Sequence, residues 1–413
     1  MPAYAGTRSH FRCMPLPPVA VSDMPLEPVR VAWLLGTDLR PYRIPFLTRL
    51  AERRDIEITL YLGGAKPGLG APTRQPSIPD PRIRVRPLVN RYWPHGQHRV
   101  AWQSGALEML TGNYDVLVVP EIVHNLTVWS IMALRRIFRK RLVLFGFGYR
   151  PPPATLFARV RERARLFLIS RADAIISYTE RGREACLAAG VDASRLFVSQ
   201  NTLDTEYLQA LTQKVRPDDL SEIRTRLSLG PHVLIAVGRL VPEKRVGVLI
   251  DAVADLGRQG ITCSLLVIGD GPERQSLEKR AAGLDNIHFL GAIYDDETIA
   301  RYFLLSDMLV IPGRIGLTCV HGFSYGIPSI TSSDSTVAQS PEYDYLEDGV
   351  NSVIVDRPDP SVYARTLKRL IDHPQELDTL RAGAARSAGQ LTMAEMVEQY
   401  AAATSYAAGQ PRS

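Results

Sequence analysis

The chain has 413 residues, 45% of them hydrophobic and 22% charged, with a formal net charge of +6. That length is too great for one ordinary domain, and the composition suits a globular protein able to bury more than one core. No apolar run reaches the ~18 residues a spanning helix needs, which argues against an integral membrane protein.

The first 27 residues, MPAYAGTRSHFRCMPLPPVAVSDMPLE, are proline-rich and lack the apolar core of a signal peptide. They read as a flexible tail, or as an upstream start with Met24 nearer the true beginning. Cys13, Cys186, Cys263 and Cys319 are scattered, with no CxxC pair and no histidine cluster. That spacing argues against a disulfide framework and a structural zinc site, and points to a reducing, cytoplasmic compartment.

After the tail, VRVAWLLG (29–36) is a near-continuous apolar run ending in glycine, as expected of a buried parallel strand. IPFLTRLAERR follows at helical spacing, then IEITLYLG as a strand. The alternation continues through YDVLVVPE (114–121), a helix over about 126–138, RLVLFGFG (141–148), a helix over 155–169, ADAIISYT with its helix, and RLFVSQNTLD (195–204). Strands alternating with helices predict a doubly wound parallel sheet. Between 214 and 231 the chain turns polar and helical, and the pattern restarts. PHVLIAVGRL, TCSLLVIGDGP, NIHFLGAI, DMLVIP, PSITSS and SVIVD are the strands of a second α/β unit, with helices between them. The expected organisation is therefore a tail (1–27), a first Rossmann-like domain (28–212), a second (213–390) and a helix (391–408) that packs back on the first. Two such domains face each other across a cleft, where ligands of open α/β sheets bind.

Two stretches of the second unit carry chemistry. In VGRLVPEKR (237–245), a strand ends at Gly238 and sets Arg239 and Lys244 on the following loop. Fixed cations there would stabilise the charge that gathers on a pyrophosphate leaving group. In PGRIGLTCVHGFSYGIP (312–328), a strand stops, two glycines turn the chain and a short helix begins, so the amides of Gly316, Leu317 and Thr318 suit a phosphate. GDGP (269–272) lacks the third glycine of a dinucleotide fingerprint, since Arg274 stands in its place. No GxxxxGK[ST], GxSxG or HExxH occurs, which weakens P-loop, hydrolase and metalloprotease readings.

Taken together and in order, GRLVPEK, GDGPER, HFLGAI and GLTCVHGFSYGIPSI resemble the donor half of a family 4 retaining glycosyltransferase. The resemblance runs from about Val29 to the final helix and is strongest over 237–355. It implies the GT-B fold, transfer of a hexose-like sugar from a nucleotide-diphosphate sugar to an acceptor hydroxyl (of a glycan, glycolipid or secondary metabolite), and no metal or other cofactor. Carried over by position, Gly238, Arg239, Lys244, Gly316, Leu317 and Thr318 would hold the donor diphosphate, with Arg239 and Lys244 catalytic. Gly291, Ala292 and Ile293 would meet the base through their main chain. Gly36 and Thr37 would face the acceptor side.

The departures from the family pattern are specific. Relatives carry two glutamates separated by seven residues where this chain has Gly313 and His321; the first reads the transferred sugar and the second the ribose. His321 retains a ring nitrogen for a ribose hydroxyl, while Gly313 offers only backbone. This PGxxGLxxxH form resembles a bacterial sub-branch. In the first unit, Phe147 stands where many relatives have histidine; Tyr149, His124 and Glu121 are the nearest polar replacements. A front-face retaining transfer can pass the acceptor proton to the leaving phosphate, so a protein base is dispensable. The missing glutamates motivate an alternative, a non-catalytic subunit supporting a partner transferase; a GT-B epimerase is another.

Ten basic residues and one acidic fall between Arg135 and Arg165, interleaved with apolar ones. Such a face suits peripheral docking on the anionic inner face of a membrane. No nucleic-acid recognition motif accompanies the charge.

Overall fold

Apolar runs flanked by glycine or proline become strands covered on both faces, and the polar-apolar mixtures between them become crossover helices. In a computed structural model of the protein, the residues described are 27–35, 39–64, 78, 80–93, 100–148, 155–334 and 338–409. Residues 1–26 of the tail, Gly36, Thr37 and Tyr149 lie outside them.

The first unit runs β1 (Val29–Leu34), α1 (Ile44–Ala51), β2 (Ile56–Gly63), β3 (Arg84–Leu88), β4 (Asn90–Trp93), β5 (Val100–Gln103), α2 (Ala106–Thr111), β6 (Val116–Pro120), α3 (Leu126–Leu134), β7 (Arg141–Gly146), α4 (Leu156–Arg171), β8 (Ala174–Ser177), α5 (Glu180–Ala188) and β9 (Leu196–Val198). Seven of these strands form a sheet in the order β3-β2-β1-β6-β7-β8-β9, all pairs parallel, while β4 and β5 form a separate antiparallel pair. The side-chain period of two sends Val31 and Trp33 to one core and Ala32 and Leu34 to the other. Side-chain caps from Asn125, Thr155 and Thr179 satisfy the first amides of α3, α4 and α5.

The second unit continues with α6 (Thr205–Thr212), α7 (Pro217–Arg226), β10 (His232–Val237), α8 (Val246–Arg258), β11 (Cys263–Ile268), α9 (Arg274–Arg280), β12 (Ile287–Gly291), α10 (Asp296–Leu304), β13 (Met308–Val310), α11 (Thr318–Ser324), β14 (Ser329–Ser332), β15 (Ser352–Val355), α12 (Pro360–Asp372), α13 (Pro374–Gln390) and α14 (Met393–Gly409). Its sheet is parallel in the order β12-β11-β10-β13-β14-β15. Strand order reverses between β1 and β6 in the first sheet and between β10 and β13 in the second, which are the two switch points where ligands collect.

Every strand expected from the sequence is present. β3, β4 and β5 are additional, and β3 shows why they were not legible: RVRPL exposes four of its five residues at the sheet edge, where charge and proline are tolerated. Leu203, Leu208 and Leu211, which the sequence assigns to the first unit, belong to the core of the second. The chain thus changes allegiance soon after β9. α14 crosses in the opposite direction: Met393, Met396, Tyr400 and Ala403 lie in a core of the first unit. There Tyr400 stacks on Trp33 at 4.9 Å and meets Phe46 edge-on at 5.0 Å.

Candidate functional site

The turn after β10 and the turn after β13 adjoin at the second switch point, and backbone hydrogen bonds lace them together. Gly313 N–H donates to the Lys244 carbonyl (3.1 Å) and Arg314 N–H to the Glu243 carbonyl (2.7 Å). A short 3-10 turn, Pro242–Lys244, presents Lys244, and Arg245 leaves it in the left-handed region at φ 53°, paired to Asp334. The Lys244 Nζ donates to the Ile315 carbonyl at 2.7 Å. A Cβ built on Gly238 would lie 3.5 Å from that Nζ, and one built on Gly316 would lie 3.6 Å from it. Three of the positions expected at a diphosphate, Gly238, Lys244 and Gly316, are therefore one cluster.

Two glycines here are dictated by packing. Gly269, at the end of β11 and at φ 142°, sits so close to Gly238 that a Cβ would lie 1.9 Å from the Gly238 carbonyl oxygen. Gly313 is the second: a Cβ there would lie 2.0 Å from the Glu243 carbonyl oxygen. The position of the family's first glutamate cannot hold any side chain on this backbone. The glycine is a condition of the two turns meeting.

Burial lowers the pKa of Lys244 to about 8, and the neighbouring Arg314 acts in the same direction. The group is mostly charged at pH 7 and discharges as pH passes about 8. Affinity for a nucleoside diphosphate is expected to fall above that pH, with proton uptake on binding at pH 8.5; calorimetry in two buffers of different ionisation heat checks it. An affinity that stays flat from pH 7 to 9 would exclude Lys244 as the phosphate partner. The stability effect has the opposite sign: between about 8 and the unfolded-state value the unfolded chain binds the extra proton, so this residue makes the empty protein more stable as pH rises.

The segment after β14 supplies partners that sequence reasoning did not assign. Ser340 Oγ accepts from Gly316 N–H (3.0 Å) and Gln339 Oε1 from Ile315 N–H (3.2 Å). Of the three amides expected at a phosphate, that of Gly316 is thus engaged within the chain. Gln339 Nε2 returns a hydrogen bond to the Gly313 carbonyl at 3.2 Å. Buried Glu342 accepts from Asn201 Nδ2 at 2.7 Å, tying the inter-unit segment to the site. None of these belongs to a motif with fixed spacing, so only a glycine-free polar run before a strand could have hinted at them. Thr318 Oγ1 is buried without a hydrogen-bond partner among the described residues.

The remaining positions are distributed around this cluster. Arg239 is exposed on the turn after β10. His321 lies on α11 with its ring 5.7 Å from that of Phe303, and burial lowers its pKa to about 4, so the imidazole is neutral at pH 7. Gly291 ends β12 at φ 74° and its carbonyl accepts from Gly269 N–H (2.7 Å); Ala292 is exposed and Ile293 half-buried beside it.

In the first unit, Glu121 is committed elsewhere. Its carboxylate accepts from Arg165 Nη1 (2.8 Å) and Gly148 N–H (3.2 Å), and Arg165 also pairs with Glu162. Glu121 is thus a structural strand-end carboxylate and not a free acid or base. His124 is exposed on the β6–α3 connection. A cavity of about 390 Å³ opens at this switch point, between β1, β6 and β7. A second hollow of about 410 Å³ lies beside Pro28, Ile56 and Arg82, at the amino ends of β1 and β2, away from both switch points.

Residues 231–373 match the family model described as glycosyl transferases group 1. The alpha-D-kanosaminyltransferase of Streptomyces kanamyceticus is 28% identical over 244 residues, 56% of this chain and 61% of that protein. The D-inositol 3-phosphate glycosyltransferase of Geodermatophilus obscurus is 26% identical over 329 residues, 75% of this chain and 66% of its own length. The chain thus spans less than two thirds of these curated relatives. Anabaena HepE, solved in complex with UDP, superimposes with a TM-score of 0.66 at 19% identity, over 90% of this chain and 98% of that one. Two Rossmann-like domains in this arrangement are the GT-B fold.

Proposed function

We propose that this GT-B chain is a retaining glycosyltransferase that moves a hexose-like sugar from a nucleotide-diphosphate sugar to an acceptor hydroxyl. The observation that carries the reading is the Lys244 ammonium beside Gly238 and Gly316, where a Cβ on either glycine would meet only Lys244 within 4 Å. The match of 231–373 to glycosyl transferases group 1 and the sugar transfer named for the curated relatives support it.

In this mechanism the donor's bond between the anomeric carbon and the distal phosphate breaks as the acceptor oxygen attacks from the same face. The acceptor proton passes to the departing phosphate oxygen, so no protein base is required. Lys244 and Arg239 stabilise the charge gathering on the diphosphate, and the amides of Leu317 and Thr318 meet the distal phosphate. Neutral His321 serves the ribose, and the main chain of Gly291, Ala292 and Ile293 the base. His124, with Gly36, Thr37 and Tyr149 outside the described residues, belongs to the acceptor side. No metal is assigned. The non-catalytic alternative is motivated by the two missing glutamates, at 313 and 321; the packing of Gly313 against Glu243 gives the first of these a structural reason. A thermal-shift screen of uridine, guanosine, adenosine and thymidine diphosphates, followed by turnover of the matching nucleotide sugars, tests the reading. Binding of none of the four would sink it.

Peripheral docking on an anionic membrane is part of the same proposal, on a narrower surface than the sequence suggests. Of the ten basic residues, Arg135 and Arg165 are buried in ion pairs, Arg141 faces Asp173, and Lys140 donates to the carbonyls of Gly112 and Tyr114. Arg136, Arg139, Arg159 and Arg163 remain exposed, around Ile137 at 73%, Leu156 at 76% and Phe157 at 72% exposure. Trp129 of α3 stacks on Phe167 of α4, which joins the two helices into one face. Co-sedimentation with phosphatidylglycerol vesicles is expected, reduced several-fold by Phe157→Asp and by 0.5 M salt. Equal sedimentation of wild type and variant would remove this element alone. No described helix is long and apolar enough to cross a membrane.

A further inference from the structure

The peptide unit between Ile315 and Gly316 is held from both sides. Its carbonyl oxygen accepts from the Lys244 ammonium at 2.7 Å, and its N–H donates to Ser340 Oγ at 3.0 Å. Every described peptide bond is trans, and a planar trans unit sends its C=O and its N–H in opposite directions. With the carbonyl aimed at Lys244, the Gly316 N–H therefore points away from it. The cation and the amide expected at one diphosphate stand on opposite sides of the same peptide. The carbonyl is itself an acceptor, so it repels the phosphate oxygens that the ammonium attracts.

The planes on either side are pinned separately. Ile315 N–H donates to Gln339 Oε1 (3.2 Å), and the Gly316 carbonyl accepts from the Cys319 N–H (3.3 Å) and thiol (3.2 Å). Turning the one plane between them changes only ψ of Ile315 and φ of Gly316. Gly316 stands at φ 69°, and a half-turn takes it to about −110°, within the broad extended region. Glycine accepts both signs of φ at little cost. Ser340, by contrast, is fixed through its neighbours. Gln339 Nε2 donates to the carbonyls of Gly313 and Ser332, Glu342 accepts from Asn201, and the Tyr345 hydroxyl donates to the carbonyls of Tyr178 and Asn201.

We propose that binding of a nucleoside diphosphate turns the Ile315–Gly316 peptide over, and that Ser340 is the positioning residue that holds it in the observed orientation. The turn releases Lys244 from the Ile315 carbonyl and gives the Gly316 N–H to the phosphate. This deepens the glycosyltransferase reading and rests on it for the identity of the ligand. The exchange is favourable in kind. Both donors leave a neutral acceptor for an anionic one, and hydrogen bonds to an ionised partner are about twice as strong. A ligand without phosphate offers no such exchange, so the peptide discriminates in favour of the diphosphate.

Two measurements test the proposal, each with whichever of uridine, guanosine, adenosine and thymidine diphosphate binds. The first is a crystal structure of the wild-type complex, in which φ of Gly316 is expected to be negative and its N–H to meet the phosphate. The second is calorimetry of wild type, Ser340→Ala and Ser340→Thr. Ser340→Ala removes the acceptor of the observed orientation and should bind the nucleotide about two- to tenfold more tightly, the worth of one ordinary hydrogen bond. Ser340→Thr keeps the hydroxyl and should match wild type. A residue that merely shapes the site would give the opposite sign, because its loss weakens binding. A complex in which Gly316 keeps its positive φ overturns the proposal. So does a Ser340→Ala protein that binds no tighter than wild type, or a Ser340→Thr protein that binds as tightly as Ser340→Ala. If Ser340→Ala fails to fold, the wild-type complex still decides the matter. Binding of none of the four nucleotides overturns the donor-site reading and the proposal with it, whereas binding with the peptide unturned overturns the proposal alone.

Discussion

Lys244→Ala is expected to lower kcat/KM for sugar transfer by about 10²–10³-fold, the loss typical of one preorganised group at a developing oxyanion. The expectation follows from geometry. Lys244 Nζ stands at hydrogen-bond distance from the Ile315 carbonyl and beside the open faces of Gly238 and Gly316, so a diphosphate seated there meets an ammonium that need not move. The partial desolvation that lowers its pKa to about 8 also strengthens its pull on the leaving group. Much of the loss should appear in kcat, because charge on the phosphate grows as the bond breaks. Steady-state kinetics with donor and acceptor varied separately, alongside a melting curve to confirm folding, measures it. Arg239→Ala should lose less, because Arg239 is exposed to solvent and water can take over part of its role. Activity within threefold of wild type in Lys244→Ala would remove this lysine from the chemistry.

Restoring the family's glutamate should harm the protein. Gly313→Glu places a Cβ about 2 Å from the Glu243 carbonyl oxygen, and that contact involves backbone on both sides, which cannot rotate away. The turn holding Lys244 must separate from the turn holding Gly316, and the hydrogen bonds of Gly313 and Arg314 to residues 244 and 243 are lost with it. Overpacking of this kind costs about 3 kcal/mol, and here it also disperses the phosphate cluster. Denaturant unfolding should show the loss, and Gly313→Ala should show most of it, since the clash begins at the first side-chain atom. A Gly313→Glu protein as stable and active as wild type would mean that the two turns are less tightly joined than described.

How much of this was legible in the sequence depends on the range of the interaction concerned. Both parallel sheets could be read, because strands such as VRVAWL and HVLIAV are apolar on both faces and bounded by turn residues. The approach of Lys244 to Gly316 was implied by the resemblance of their motifs to the donor half of a known family. What could not be read is what depends on distant partners. Glu121 looks like a catalytic carboxylate at a strand end until Arg165, 44 residues away, is seen to hold it. Ser340 and Gln339 lie in a stretch without periodicity, and their value comes only from the amides they face. Gly313 is the instructive case: as a letter it marks a missing glutamate, while in the fold it is the condition for two turns to touch. The exchange of α6 for α14 between the cores was half visible, since both are amphipathic and nothing local says which core each one joins.

That exchange bears on the order in which the protein can be made. Trp33 and Phe46 emerge early from the ribosome, yet the ring that covers them, Tyr400, is synthesised after the whole of the second domain. Until then Trp33 has the Phe46 and Phe145 rings of its own domain against it, and the part of the core that α14 supplies stays open while about two hundred further residues are added. The completion of the first domain's core is thereby tied to the last helix of the chain, so that removing α14 should destabilise the first domain and not the second.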